Sequence, residues 1–166
     1  MKSIISIRIG LCLAIGLIIS SCNTKQPVNL EAEKAQILKM HHAQRDYHFN
    51  KDSIAFANQL SDDFISVNRG IISKPTKSET ISRYNGYFSS VEFLKWDDLS
   101  DPVIKFSDDG TMAYCIVDKI VAITTKDENG QDIKSETHFA WTAIFRKHNN
   151  EWKIESVTST NKPDTN

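Results

Sequence analysis

The feature that most restricts the fold of this chain is a change of pattern near Ser89. Upstream, Leu30 to Asn50 contains neither glycine nor proline and favours helix, Asp52 is placed to cap a second helix ending near Leu60, and Thr76 or Ser78 caps a third over about Lys77 to Phe88. Downstream, Val91 to Leu99, Val103 to Phe106, Met112 to Thr125, Ile133 to Lys147 and Trp152 to Ser159 are rich in β-branched and aromatic residues, as strands are. Turn signals separate them: Asp108-Asp109-Gly110, Asn129-Gly130 and His148-Asn149-Asn150. Ser61-Asp62-Asp63 is read as the break after the second helix, Phe64 to Val67 as a short strand, and Asn68-Arg69-Gly70 as a turn returning through Ile71-Ile72. Helices first and a meandering antiparallel sheet afterwards is the pattern of an α+β domain.

The N-terminal end is of another kind. Lys2 and Arg8 precede an apolar run from Ile9 to Ile19, about half the ~20 residues a membrane-spanning helix needs, so a secretory signal is the reading. Ile19-Ser20-Ser21-Cys22 resembles the lipobox of bacterial lipoproteins, which implies removal of residues 1–21, lipidation of Cys22 and attachment of the mature chain to a membrane of the cell envelope. The alternative is an ordinary signal cleaved at the same small residues, leaving Cys22 a free thiol. Asn23 follows in place of aspartate, which by the same resemblance favours the outer membrane. Residues 22–29 then form lipidated cysteine and tether, 30–160 one domain, and 161–166 a polar tail. Removing Lys2 and Arg8 leaves the 21 acidic residues in slight excess, and no basic cluster is present, which argues against nucleic acid as the partner. Cys115, within the apolar run Met112 to Ile123, reads as a small buried hydrophobe.

The order of elements resembles the nuclear transport factor 2-like superfamily, also called SnoaL-like or ketosteroid isomerase-like. Its local signatures here are Ser61-Asp62-Asp63-Phe64-Ile65 followed by Gly70, then Ser107-Asp108-Asp109-Gly110-Thr111-Met112-Ala113-Tyr114, Trp141 through Phe145, and Trp152-Lys153-Ile154. The resemblance covers about Leu30 to Thr160. It implies a cone: N-terminal helices packed in a strongly curved antiparallel sheet, with a pocket between them.

Candidate site residues follow from faces. At ~100° per residue, His41, Gln44, Arg45 and His48 fall on the same side of the first helix as Ile37, flanked by Leu38, Met40, Tyr47 and Phe49. Polar groups in an apolar arc must be paired, hydrated or open to a cavity. His41, Arg45 and His48 are therefore expected at the pocket, the alternative being bonds to carbonyls and carboxylates at the seam between helix and sheet. Asp118 interrupts an apolar strand and shares a face with Tyr114, Ile116 and Ile120; a desolvated carboxylate there could act as acid or base, with an ion pair or exposure on the outer face as the plainer reading. His138 lies on the next strand, on a face that alternation alone does not assign. Trp141 is expected in the pocket wall or core. Related sequences often carry histidine near the end of the last strand; here Thr158 falls at that position, where its hydroxyl can orient a ligand but cannot serve as a base near neutral pH.

No phosphate-binding loop, nucleophile elbow or zinc signature is present, so no cofactor is expected. His41 and His48 stand two turns apart, too far to share a metal ion easily, and His41 and His42 should diverge. Three functions remain: a membrane-anchored domain binding a small molecule or peptide; an enzyme of proton transfer on a carbonyl compound, with Asp118 or His48 as its catalytic group; or a structural homodimer with an idle pocket. A homodimer is expected in any case, because both faces of the strand from Met112 to Ile123 are largely apolar and the helices can cover only one.

Overall fold

Three helices lie within one curved, seven-stranded sheet in the computed structural model, which describes residues 28–162. The signal segment, Cys22, most of the tether and the end of the polar tail lie outside the described residues.

Each helix begins where a side chain can satisfy its first N–H groups. Helix α1, Leu30–Phe49, is capped by Asn29, whose Oδ1 accepts from the Ala32 N–H at 3.2 Å. Helix α2, Ser53–Asn58, is capped by Asp52 through the Ala55 N–H at 2.8 Å. Helix α3, Lys77–Ser90, starts with a capping box: Thr76 Oγ1 accepts from the Glu79 N–H, and the Glu79 carboxylate accepts from the Thr76 N–H. At the first turn of α1, Glu33 accepts from Lys147 Nζ and Trp152 Nε1, fixing the helix to the sheet.

The strands are β1 Leu60–Asn68, β2 Ile71–Ser73, β3 Glu92–Asp98, β4 Val103–Phe106, β5 Met112–Lys126, β6 Asp132–His148 and β7 Glu151–Asn161. Their order is β2-β1-β7-β6-β5-β3, with β4 also paired to β5. Arg69 and Gly70, and likewise Asn149 and Asn150, take positive φ in the two-residue turns of the β1–β2 and β6–β7 hairpins, as tight hairpins demand.

Two expectations need correction. The sheet is mixed, because β1 pairs in parallel with β7. These strands are separated by α3 and five other strands, so no short turn dictates their direction. Ser61-Asp62-Asp63 lies inside β1 and interrupts its pairing instead: Leu60 is opposite Ile154 and Ile65 is opposite Ser156, so residues 61–64 form an irregular bulge.

The core divides into two clusters. Ile37 of α1 packs with Cys115, Val117, Phe145, Trp152 and Ile154 of the sheet, whereas Phe88 of α3 packs with Val91, Phe93 and Val121. Burial pushes the Cys115 thiol up to about 11, consistent with its packing role.

Candidate functional site

In β3 and β7 the phase of the inward face is set by a single-residue bulge. In β3, Phe93 pairs with Ile123 but Lys95 with Ala122, so Leu94 is the extra residue and Phe93 and Trp96 share the inner face. In β7, Ser156 pairs with Ile144 but Ile154 with Phe145, so Glu155 is extra and Ile154, Val157 and Ser159 point inward.

Between these faces and the helices lies a cavity of about 420 Å³. Gln44 and His48 of α1, Phe56 of α2 and Thr80, Arg83, Tyr84 and Tyr87 of α3 form one wall. Opposite are Phe64, Ser66 and Asn68 of β1, Trp96 of β3, Val121 of β5, Phe139 and Trp141 of β6, and Val157 and Ser159 of β7. Aromatic and aliphatic groups dominate, and no aspartate or glutamate is among the lining residues. Size and composition match those of small-molecule sites.

His48 is the centre of this wall. Only 2 % exposed, it stacks on Trp96 at 3.6 Å between ring centroids and meets the edges of Phe56, Phe88 and Phe93. Its Nδ1–H donates to the Gln44 carbonyl at 2.6 Å, which fixes the neutral tautomer and leaves Nε2 as an acceptor. Burial lowers its pKa from 6.5 to about 4, the carbonyl bond opposing the change and nearby Lys119 adding to it.

His41 is buried too, but it is not a cavity residue. Its Nε2 donates to both oxygens of Asp98, at 3.1 and 2.9 Å. Asp98 also receives Lys119 Nζ at 2.6 Å, and Lys119 is only 3 % exposed. Asp98 and Lys119 are direct partners in the β3–β5 ladder, which explains the contact. The ammonium lies 5.5 Å from the centre of the Trp96 ring and 6.0 Å from that of Trp141. Burial pushes the Asp98 carboxyl upward, but the Lys119 and His41 bonds outweigh it and hold it below its usual range. For His41 burial wins, and its pKa falls despite Asp98.

The expectation that His41 and His42 diverge is also corrected: their rings lie 5.5 Å apart, and ligating atoms of His41, His42 and Asp98 fall within 4.8 Å of one another. The carboxylate already carries a cation, however. A divalent ion would have to displace the Lys119 ammonium from Asp98.

Three further candidates are not at the cavity. Arg45 is 53 % exposed, 4.0 Å from Asp97 and stacked over the Phe49 ring at 4.4 Å; it sits at the edge of the apolar arc, and its long stem carries the charge to solvent. Asp118 is on the convex outer face, 44 % exposed and paired with His138, because Cys115, Val117, Lys119 and Val121 are the residues of β5 that turn inward. Thr158 is exposed because the Glu155 bulge reverses the alternation before it reaches that residue. Of the sequence candidates, His48 and Trp141 line the cavity.

The sequence reading missed Asp98, Lys119 and the contribution of α3. Signals existed for two of these. Lys119 alternates with Cys115, Val117 and Val121, a more uniformly apolar set than the one containing Asp118. Thr80, Arg83, Tyr84 and Tyr87 recur at the spacing of one helix face.

This architecture, helices held in a strongly curved sheet with a cavity between, is the nuclear transport factor 2-like cone fold. No protein-family model and no curated protein matches the sequence. Among solved structures, a nuclear transport factor 2-like superfamily protein from Salmonella enterica serovar Typhimurium is similar, with TM-score 0.66 and 17% identity over 82% of this chain and 96% of that one. A hexachlorocyclohexane dehydrochlorinase aligns with TM-score 0.65 and 15% identity over 81% of this chain and 88% of its own. A ketosteroid isomerase-like protein from Erwinia carotovora atroseptica aligns with TM-score 0.62 and 16% identity, covering 80% and 98%. At such identities the likeness is one of fold.

Proposed function

We propose that this domain is a membrane-tethered receptor for a small, largely apolar molecule held in the cone. The observation that carries this reading is the 420 Å³ cavity, with aromatic walls and a few polar groups at its surface. The tether is the lipid expected on Cys22, and the apolar outer face of the sheet is assigned to a second copy of the chain. Filling the cavity tests the central claim. Val157→Phe is expected to weaken binding of an apolar fluorescent dye at least tenfold, about 1.4 kcal/mol, while circular dichroism is unchanged. Undiminished dye binding by a folded Val157→Phe variant would place the ligand elsewhere.

The alternative is proton-transfer catalysis, and one observation favours it: His48 presents a free Nε2 beside the cavity. Its pKa of about 4 makes it a weak base at neutral pH. Asp118 on the outer face and His41 bound to Asp98 are not placed to assist it. Hydrogen–deuterium exchange α to the carbonyl of a bound ketone, lost in His48→Gln, would favour the enzyme over the receptor.

A further inference from the structure

We infer that the cavity takes an apolar carboxylic acid carrying a hydrogen-bond donor away from its carboxylate, with Arg83 holding the carboxylate and His48 Nε2 accepting from the donor. This rests on the cavity-binding reading and specifies its ligand.

The charge distribution points to an anion. Arg83 is the one arginine or lysine lining the cavity, and no acidic side chain lines it. Among the described residues Arg83 has no carboxylate partner; its guanidinium lies 5.6 Å from the centre of the Tyr84 ring. Arg45 and Arg146, by comparison, face Asp97 and Glu155. The planar fork of a guanidinium matches a carboxylate with two parallel hydrogen bonds, and Arg83, an exposed residue, presents that fork where the cavity meets solvent.

Hydrogen-bond polarity sets the other requirement. With Nδ1–H committed to the Gln44 carbonyl, neutral His48 offers the cavity only a lone pair, so its counterpart must donate. A hydroxyl suffices. Trp96, Trp141 and Tyr84 supply flat surfaces for an aromatic or unsaturated body between the two polar ends.

Three probes separate the elements of this inference: para-hydroxycinnamate, its methyl ester and cinnamate, titrated by calorimetry into the domain and into Arg83→Met. The hydroxy acid is expected to bind the domain at least tenfold more tightly than the ester. Arg83→Met should abolish that preference, leaving ester affinity and melting temperature unchanged. Loss of the hydroxyl should weaken binding at least threefold, and the Nε2 resonance of His48 should shift with para-hydroxycinnamate but not with cinnamate.

Equal affinity for acid and ester, with the ester showing nuclear Overhauser contacts to Trp141 and Phe139, overturns the carboxylate while leaving the cavity reading standing. An unmoved Nε2 resonance with equal affinity for hydroxycinnamate and cinnamate overturns the donor. If no probe binds, or contacts arise only outside the cavity, both this inference and the cavity reading fail.

Discussion

Lys119 and Asp98 face one another across the β3–β5 ladder and close a 2.6 Å ion pair inside the domain, with His41 completing it from α1. Removing one member of a buried pair strands the other. Asp98→Asn is therefore expected to destabilise the domain by about 3–5 kcal/mol, since the ammonium of Lys119 would remain buried without a counter-ion. Urea unfolding measures this, and Asp98→Asn combined with Lys119→Met should recover much of the loss. An Asp98→Asn midpoint equal to that of the parent would show that the pair contributes little.

The depressed pKa of His48 fixes a sign for acid stability. The folded protein keeps His48 neutral down to about 4, whereas the unfolded chain protonates it near 6.5, so its contribution is present above 6.5 and is lost as pH falls from 6.5 to 4. At most about 3 kcal/mol is at stake. His41, also lowered, acts in the same direction, and Asp98, held below 3.8, adds a further loss only in stronger acid. Urea midpoints for the parent should decline between pH 7.5 and 4.5, and His48→Gln should decline less steeply. Identical slopes would mean that His48 is not the titrating group.

Cys22→Ser is expected to leave the domain folded while preventing lipidation and membrane retention. Among the described residues no helix is long and apolar enough to cross a membrane. Fractionation with metabolic labelling by a fatty acid is the check. A Cys22→Ser protein that still sediments with membranes would require another anchor.

On the outer face, Ile116 lies between Val103 of β4 and Thr142 of β6, and Tyr114 lies beside Ile144; Val103, Tyr114 and Ile116 are exposed. A lipid-free domain is expected to scatter light as a dimer, and Ile116→Glu as a monomer of nearly unchanged melting temperature. A parent domain that stays monomeric at high concentration would remove the basis for a partner copy.

The elements were legible because they rest on local chemistry: the caps at Asp52 and Thr76, and the turn residues at Gly70, Asn149 and Asn150, are written in short stretches of sequence. The α+β order followed from where the helical pattern gives way to strands. The parallel β1–β7 contact was not legible, since it joins segments with most of the domain between them. In the site, the wheel found His41 and His48 as buried residues but could not say that one faces Asp98 and the other the cavity. It misplaced Arg45 because an angle describes a Cβ and not the end of a long side chain. Counting by twos along β7 misplaced Thr158, since alternation holds only until an extra residue enters the ladder.

That extra residue, Glu155, acts as a phase setting for the last strand. Were Glu155 to take a regular place in the ladder instead of bulging, odd and even would exchange beyond that point: Thr158 would replace Val157 and Ser159 as the inward member, turning an alkyl wall into a hydroxyl without altering any of those side chains. Pairing at a single position thus governs the chemical lining of the cone: deleting Glu155 would join Ile154 to Ser156 and keep Val157 and Ser159 inward, whereas flattening the bulge with the residue in place would turn both of them out.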